Sequence, residues 1–200
     1  MVARGEGTRE NIIRKAATLF NQQGFAGASM ADIMAATGLQ KGGIYRHFES
    51  KEQLAVEALD YAVALMTRRF TEALEGKRHA IDRLDAIISV FEALPHDPPV
   101  PGGCPVMNAG IENDDGGNPA LRDRARAAMD GLRALVVRTA ERGRERGEVR
   151  PDADAEALAT VMISTLEGAV MMSRLFGDET HVARAGAHLR RYLDQSVRAA

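Results

Sequence analysis

The residues of this 200-residue chain best suited to chemistry lie in the segment KGGIYRHFESK, residues 41–51. Its polar side chains can donate hydrogen bonds to phosphate oxygens and to base edges. Gly42 and Gly43 lie among them, although each glycine in a helix costs roughly 1 kcal/mol relative to alanine. Without Cβ atoms there, the helix backbone can approach a base edge or a thymine methyl group closely. The segment therefore indicates a DNA-reading surface, whose candidate donors are Lys41, Tyr45, Arg46, His47 and Lys51.

The same glycines also fit a tight corner between two helices that pack closely on each other. Residues 37–40, TGLQ, separate two short helical patterns, and a turn of this length containing glycine is typical of a helix-turn-helix. Spacing alone leaves both interpretations open. Ser29 and Asp32 predict a capping box at the start of the first helix, whose free N–H groups suit a phosphate. Ile44 and Phe48, four residues apart, predict the face that packs into the domain.

Composition predicts a globular, cytoplasmic protein. Hydrophobic residues make up 45% of the chain, which is enough for a core. We expect no secretory signal in the opening MVARGEG and no membrane span, because no run approaches about 18 apolar residues. Cys104 is the only cysteine, which excludes an internal disulfide and agrees with a reducing compartment. Residues 1–52 carry seven basic and five acidic groups (+2), and the remainder carries 19 and 23 (−4).

Helical periodicity recurs along the chain, and we predict an all-α fold of about nine helices without strands. Five of the seven prolines fall between Pro95 and Pro105, which predicts a loop there. Glu112, Asp114 and Asp115 are expected to form a solvated turn. The predicted helix starts are Thr8, Ser29, Ser50, Asn118 and Asp154, and the predicted stops are Gly24, Gly38, Gly76, Gly147 and Gly177.

The N-terminal quarter of the chain resembles the DNA-binding domain of the TetR/AcrR-type transcriptional repressors. The resemblance rests on TRENIIRKAATLFNQQGFAGASMADIMAATGLQKGGIYRHFESKEQL, and it continues more weakly through GCPVMNAGIE, NPALRDR, RGEVRPDAD and LEGAVMMSRLFGD. It implies a three-helix helix-turn-helix domain over residues 1–54. A larger helical domain for effector binding and dimerisation follows over residues 55–200. It also implies a homodimer that binds a palindromic double-stranded DNA operator and is released by a small molecule.

The resemblance places the DNA contacts residue by residue. They fall on Ser29, Lys41, Gly42, Gly43, Tyr45, His47 and Lys51. Gln40 stands where the family commonly has a serine or threonine that caps the recognition helix. Its long amide could contact a base instead, which puts the start of that helix in question. The position of Arg46 varies in the family, so Arg46 is predicted as a base-reading residue from its own chemistry.

Effector and dimer contacts are predicted for the C-terminal domain. Adaptable methionines and aromatic rings suggest a partly apolar effector cavity, with ordinary core packing as the alternative; the candidates are Met66, Phe70, Phe91, Cys104, Met107, Met129 and Met162. The last two helices carry broad apolar faces, which need a second chain to cover them. The predicted dimer contacts are Leu158, Val161, Met162, Leu166, Ala169, Val182, Leu189 and Tyr192.

Other classes of function find less support. We expect no enzyme, metal or cofactor, because no nucleophile–base pair, phosphate-cradling loop or metal-ligand spacing stands out. Cys104 in GGCPV could serve an oxidant or electrophile sensor, but Asp97, Asp114 and Asp115 would not favour its thiolate, so a structural thiol is the preferred interpretation. An activator is a further alternative to the repressor.

Overall fold

The regular elements in the computed structural model, which describes residues 3–199, are helices. The nine α-helices are α1 Ala3–Gly27, α2 Met30–Thr37, α3 Lys41–Tyr45, α4 Lys51–Leu74, α5 Ala80–Ala93, α6 Pro105–Asn113, α7 Pro119–Glu145, α8 Ala155–Phe176 and α9 Thr180–Tyr192. A π-helical turn, Leu193–Val197, follows α9. One isolated bridge joins Val149 to Arg198. Within the described residues, the prediction of an all-α fold of about nine helices is confirmed.

Packing divides the chain into two compact units. The first contains the described residues up to Met66 together with Pro99–Ala128, and the second contains Thr67–Pro98 and the described chain from Met129 onwards. The first unit therefore includes the helix-turn-helix, α6 and the start of α7. The functional boundary between residues 54 and 55 stays a prediction, since this division reflects packing and not activity.

Most predicted helix ends lie where their local signals placed them. The Ser29–Asp32 capping box is present at α2. Asp154 accepts hydrogen bonds from the amides of Glu156 and Ala157, both at 3.0 Å, and Gly177 ends α8 in the left-handed region. The first helix is the exception, because it begins at Ala3 and not near Thr8.

Helix α6 corrects one sequence prediction. Its nine residues follow the proline-rich stretch, and Pro105 occupies its first turn, where the missing N–H costs no hydrogen bond. Glu112 lies on this helix and not in a solvated turn. Its two carboxylate oxygens accept hydrogen bonds from the amides of Phe25 and Ala26, each at 2.8 Å. Both amides follow Gly24, whose φ of 77° interrupts α1. The backbone conformation at Gly24 favours glycine, and a Cβ there would lie 2.8 Å from Oε1 of Glu112 and displace that carboxylate.

A second contact fixes the segment ahead of α6 to α1. The side-chain amide of Asn21, which is buried, donates to the carbonyls of Val100, Pro101 and Gly103 at 3.1–3.3 Å. Asn108 on α6 donates to the side-chain oxygen of Asn21 at 2.9 Å. Together with Glu112, these amides hold the proline-rich segment and α6 against α1 within the first unit. Because all three links are polar and directional, they fix orientation as well as proximity.

In the second unit, a carboxylate secures the start of α5. Glu148 accepts hydrogen bonds from the amide of Ala80 at 2.7 Å and from Nε and Nη2 of Arg146 at 2.9 Å each. The hydrogen bonds from Arg146 are the largest cause that lowers the Glu148 pKa from 4.5 to about 2, and the Ala80 amide acts in the same direction. One of the N–H groups that a helix start leaves unsatisfied is thereby bonded to a charged acceptor.

Helix α8 is long and apolar enough to cross a membrane, judged by length and composition alone. Core helices of soluble proteins pass the same test. Here the side chains of Leu158, Met162, Leu166 and Val170 are buried inside the second unit, and a carboxylate, Glu167, lies among the buried residues of the helix. Packing within the second unit thus accounts for the apolar inner face of α8.

Replacing Glu112 with alanine should loosen the link between α6 and α1. We expect the amides of Phe25 and Ala26 to exchange hydrogen faster and stability to fall by about 1 kcal/mol, because both donors lose a charged acceptor but can still reach water. Amide hydrogen exchange followed by mass spectrometry or NMR measures the effect. Asp114→Ala, which removes an exposed carboxylate nearby, is the control. Unchanged exchange at Phe25 and Ala26 would contradict the proposed link.

Replacing Glu148 with glutamine should destabilise the protein at pH 7 by about 1 to 2 kcal/mol, because the charged hydrogen bonds to Ala80 and Arg146 are weakened. The native pKa of Glu148 is lowered, so its contribution is present above pH 4.5 and is lost as the pH falls towards about 2. The difference in melting temperature between Glu148→Gln and the natural protein should therefore shrink over that interval. Glu145→Gln is the matched control, and a difference that persists at pH 2 would refute this account.

Candidate nucleic-acid interface

Helices α2 and α3 are joined by a turn that local hydrogen bonds define. Gly38 adopts the left-handed conformation with φ 72°, and its N–H donates to the carbonyl of Met34 at 2.9 Å. The Thr37 hydroxyl donates to the carbonyl of Ile33 at 2.7 Å. The carbonyl of Gln40 then accepts the N–H of Gly43 at 2.8 Å and begins α3. The backbone at Gln40 thus starts the helix without a side-chain cap, which resolves the doubt about this start.

One face of α3 is anchored in the core. Ile44 and Phe48 are almost completely buried, as their spacing predicted. They belong to a cluster that includes Ile12 of α1, Ile33 of α2 and Leu54 of α4. Three surrounding helices therefore determine how α3 is turned, and the opposite face of α3 points away from this core.

The glycines on the exposed face have no packing role within the described chain. A Cβ added at Gly42 would meet no atom within 4 Å, and one at Gly43 would meet only Leu39, at the ordinary contact distance of 3.6 Å. Neither glycine has a positive φ. The corner interpretation, in which glycine permits close helix packing, thus finds no support in the geometry. The exposed backbone of α3 at these two glycines is therefore accessible to a binding partner.

Polar side chains surround this bare surface. Tyr45 is 41% exposed, and Nζ of Lys41 lies 5.6 Å from the centre of its ring. Gln40 and Arg46 are exposed, and neither side chain has a hydrogen-bond partner among residues 3–199. The His47 ring is half-buried and lies 6.4 Å from the ring of Phe48. Guanidinium, ammonium, phenol and amide donors are thus available for phosphate and base contacts.

Two predicted DNA contacts already have partners within the chain. Nζ of Lys51 donates to the carbonyl of Phe25 and lies 4.3 Å from the centre of the Phe25 ring. The Ser29 hydroxyl donates to Asp32 at 2.6 Å and accepts from its amide at 3.2 Å. Hydrogen bonds from the Ser29 side chain and backbone lower the pKa of Asp32. The resulting carboxylate lies at the start of α2, where the sequence suggested a phosphate.

The predicted effector contacts are divided between the two units. Met66, Cys104 and Met107 belong to the first unit, and Phe70, Phe91, Met129 and Met162 belong to the second. The rings of Phe70 and Phe91 lie 5.9 Å apart, and Cys104 is buried at the start of α6. The role of these seven residues in effector binding stays a prediction.

A different set of residues encloses a cavity in the first unit. It measures about 40 Å³ and is lined by α1, α4, α6 and α7 side chains that include Phe20, Leu59, Asn108 and Leu121. Drug-sized ligands occupy about 300–1,000 Å³, so in this conformation the cavity is too small for one. None of the seven predicted effector residues lines it. Its walls come from distant parts of the sequence, which is why periodicity could not single them out.

The predicted dimer contacts differ in exposure. Six of them are buried inside the described chain: Leu158, Met162, Leu166, Ala169, Val182 and Leu189. Their side chains cover the core of their own unit, so the expectation that a second chain must cover them needs correction. Val161 and Tyr192 are 46% and 37% exposed. Further exposed apolar side chains of α8, which the sequence prediction omitted, are Met171, Met172, Leu175 and Phe176.

Comparison with known proteins agrees with this geometry. The family model of bacterial regulatory proteins, tetR family, matches residues 12–58, and that of the tetracyclin repressor-like C-terminal domain matches residues 80–189. A crystallised TetR transcriptional regulator from Chloroflexus aurantiacus J-10-FL is 48% identical, with a TM-score of 0.96 over 98% of this chain and 99% of that chain.

Named relatives point the same way. An uncharacterized HTH-type transcriptional regulator from Mycobacterium tuberculosis (strain H37Rv) is 30% identical over 195 residues, which cover 94% of this chain and 95% of that protein. The HTH-type transcriptional repressor DhaR from Mycobacterium sp. (strain GP1) is 25% identical over 176 residues, covering 84% and 82%. Matched domains, matched fold and the α2–turn–α3 geometry lead to one conclusion: this chain belongs to the TetR family of helix-turn-helix transcriptional regulators.

Proposed function

We propose that this regulator is a homodimeric repressor that binds a palindromic operator and leaves it when a small, partly apolar effector binds. The observation that carries the proposal is the open surface at Gly42, where glycine is required neither by backbone conformation nor by internal packing. A helix that gives up roughly 1 kcal/mol at such a position gains nothing inside the chain. Close approach of a base pair in the major groove supplies the missing reason.

The predicted DNA contacts take unequal parts in this proposal. Lys41, Tyr45 and Arg46 surround the bare surface and make the main phosphate and base contacts, with Gln40 beside them. His47 is half-buried and contributes at the margin. Lys51 contacts the backbone of the operator with the ammonium hydrogens that its bond to Phe25 leaves over, whereas the Ser29 hydroxyl must release Asp32 before it can donate to a phosphate. Their first role is to fix the ends of α1 and α2.

A two-state mechanism links the effector to the operator. One conformation spaces the two recognition helices of the dimer about one DNA turn apart, and the effector prefers the other conformation. Helix α4, which is continuous from Lys51 to Leu74, is the proposed lever. Two sets of hydrogen bonds supply a second route to α1. Glu112 of α6 accepts from α1, and Asn21 of α1 bonds to the proline-rich segment and to α6. A tenfold release needs only about 1.4 kcal/mol of differential affinity.

Repression is preferred over the alternatives that the sequence left open. The relative DhaR is named as a repressor, which favours repression over activation. Sensing through Cys104 is less favoured, because the thiol is buried and an oxidant needs access to it.

The exposed apolar face of α8 is the proposed dimer surface. Val161, Met171 and Leu175 recur at helical spacing, with Met172 beside them and Tyr192 exposed on α9. Contiguous apolar surface of this kind marks interaction sites in soluble proteins. Pairing of two copies through the same face gives a closed twofold dimer, as a palindromic operator requires.

Gly42→Ala should weaken specific DNA binding while the protein stays folded. We expect alanine to raise stability by roughly 0.5–1 kcal/mol and to lower operator affinity about tenfold or more, because its methyl group occupies space needed by a base pair. Selection of bound duplexes from a random pool identifies the operator, and fluorescence anisotropy then measures affinity.

Gly131→Ala is the matched control for this experiment. Gly131 lies inside α7, and its added Cβ would also meet no atom within 4 Å, so stability should rise without a change in DNA affinity. Equal operator affinity of both variants would overturn the role proposed for Gly42. Enrichment of sequences without twofold symmetry would overturn the dimeric reading of the operator.

Met171→Glu combined with Leu175→Glu should convert the dimer into a monomer, because charges buried at an apolar interface lose their hydration. Light scattering after size exclusion distinguishes the 21.6 kDa monomer from the dimer. Ile111→Glu places the same charge on an apolar side chain of α6 that is 67% exposed, and this control should remain dimeric. Persistence of the dimer in the double variant would place the interface elsewhere.

A further inference from the structure

A recess in the second unit concentrates positive charge far along the chain from the helix-turn-helix. It measures about 210 Å³ and is lined by Arg78, Arg83, Arg138, Arg142 and Arg146, with Leu135 and Thr139. Residues 135, 138, 139 and 142 recur at helical spacing and form one stripe on α7, and Arg146 follows one residue after the end of that helix. The volume is below the 300–1,000 Å³ typical of drug-sized ligands, so the recess suits a small polar group.

The charge of this recess is not balanced within the described chain. Glu148 pairs with Arg146 at 2.9 Å, and the other four arginines have no ion pair among residues 3–199. The lining therefore holds five positive charges and no carboxylate of its own, and the acidic groups that act on Arg146 are Glu148 and Glu145. Like charges held close together repel, so an anion in the recess would relieve a real cost.

Two of the guanidinium groups are held in place before any ligand arrives. Nη1 of Arg83 donates to the carbonyl of Lys77 at 3.1 Å and reaches that of Leu74 at 3.5 Å. Arg146 is fixed by Glu148 and by the carbonyl of Arg78, to which its Nη2 donates at 3.3 Å. Their remaining N–H groups stay available as donors. Such anchoring lowers the entropy lost when a ligand is bound.

The other guanidinium groups are free to close around a ligand. Arg138 and Arg142 are exposed and one helical turn apart on α7, and their side chains and that of Arg78 make no hydrogen bond within the described residues. The C-terminal dipole of α7 opposes an anion here, but it amounts to about half an elementary charge, which is less than the excess positive charge of the five lining arginines. The net electrostatic field of the recess therefore attracts an anion.

We propose that this recess is a second ligand site, distinct from the operator surface, which binds a compact anion bearing one or two phosphate groups. Arginine suits this chemistry because its planar fork donates two parallel hydrogen bonds to phosphate oxygens. The free forks of Arg78, Arg138 and Arg142, together with the N–H groups that Arg83 and Arg146 have left over, can surround the oxygens of a pyrophosphate group. Phosphate in this site can come from an inorganic ion or from an organic phosphate ester.

Titration calorimetry on the full-length protein tests the site, with inorganic pyrophosphate as the probe in about 0.15 M NaCl, where diffuse surface charge is screened. The test variant is Arg138→Gln with Arg142→Gln. The matched control is Arg126→Gln with Arg144→Gln, which removes the same charge from exposed positions of α7 outside the recess. A further variant, Arg138→Lys with Arg142→Lys, keeps the positive charge but loses the two parallel donors of each guanidinium group. Thermal unfolding verifies that each variant is folded.

We expect one pyrophosphate per chain, a Kd raised about tenfold or more in the glutamine variant, an intermediate loss in the lysine variant and an unchanged Kd in the control. Tighter binding of ADP than of pyrophosphate assigns the site to organic phosphates, and the reverse order assigns it to the inorganic ion. Absence of saturable binding would overturn the proposal, as would equal weakening in the control. Loss of operator affinity in the test variant without pyrophosphate binding would instead make the recess a DNA contact.

Discussion

Burial of Ile44 and Phe48 is the constraint on which the DNA-reading surface depends. Helix α3 has only five residues, whereas an isolated helix needs roughly 12–15 to be even marginally stable. Each of these two side chains contributes roughly 1.5–3 kcal/mol when buried, which together exceeds the roughly 2 kcal/mol that Gly42 and Gly43 cost. The core therefore both forms the helix and determines which face is left open. Substitutions in this core would therefore alter DNA recognition even though the substituted residues do not contact DNA.

Local signals in the sequence predicted local structure well. Ser29 and Asp154 cap the helices that they were expected to cap, and Gly177 ends α8. Helix α6 was missed because it is short and begins at a proline after a proline-rich loop. The role of Glu112 had no signal at all, since its donors lie 87 and 86 residues away in the chain. Such contacts form only when the fold brings two distant segments together, so they cannot be predicted from the spacing of residues in the sequence.

Apolar periodicity pointed to α8 and α9 as the dimer helices, but six of the eight side chains that it selected are buried within their own unit. A helix such as α8 has an inner face that packs in its own unit and an outer face that remains apolar, and both recur with the same period. Leu158 belongs to the first face, and Val161 belongs to the second. The sequence alone shows how wide the combined apolar stripe is, but it does not show which residues belong to the inner face and which to the outer face. Burial in the folded chain separates the inner face from the outer face, and it places the proposed dimer contacts on the outer face, which includes Leu175.

The distribution of cations bears on how an operator would be recognised. Of the predicted contacts, Lys51 keeps its charge but gives one donor to the carbonyl of Phe25, so Lys41 and Arg46 are the cations with all their donors available. The proposed dimer would offer about four such groups. Proteins whose affinity is mainly electrostatic make 6–10 phosphate contacts and lose about 10³–10⁵ in affinity between 50 and 200 mM salt. With fewer cations, non-specific attraction is weaker. Under the proposed mechanism, discrimination then comes from close fit at the bare surface of Gly42, where an added methyl group would occupy the space that a base pair needs.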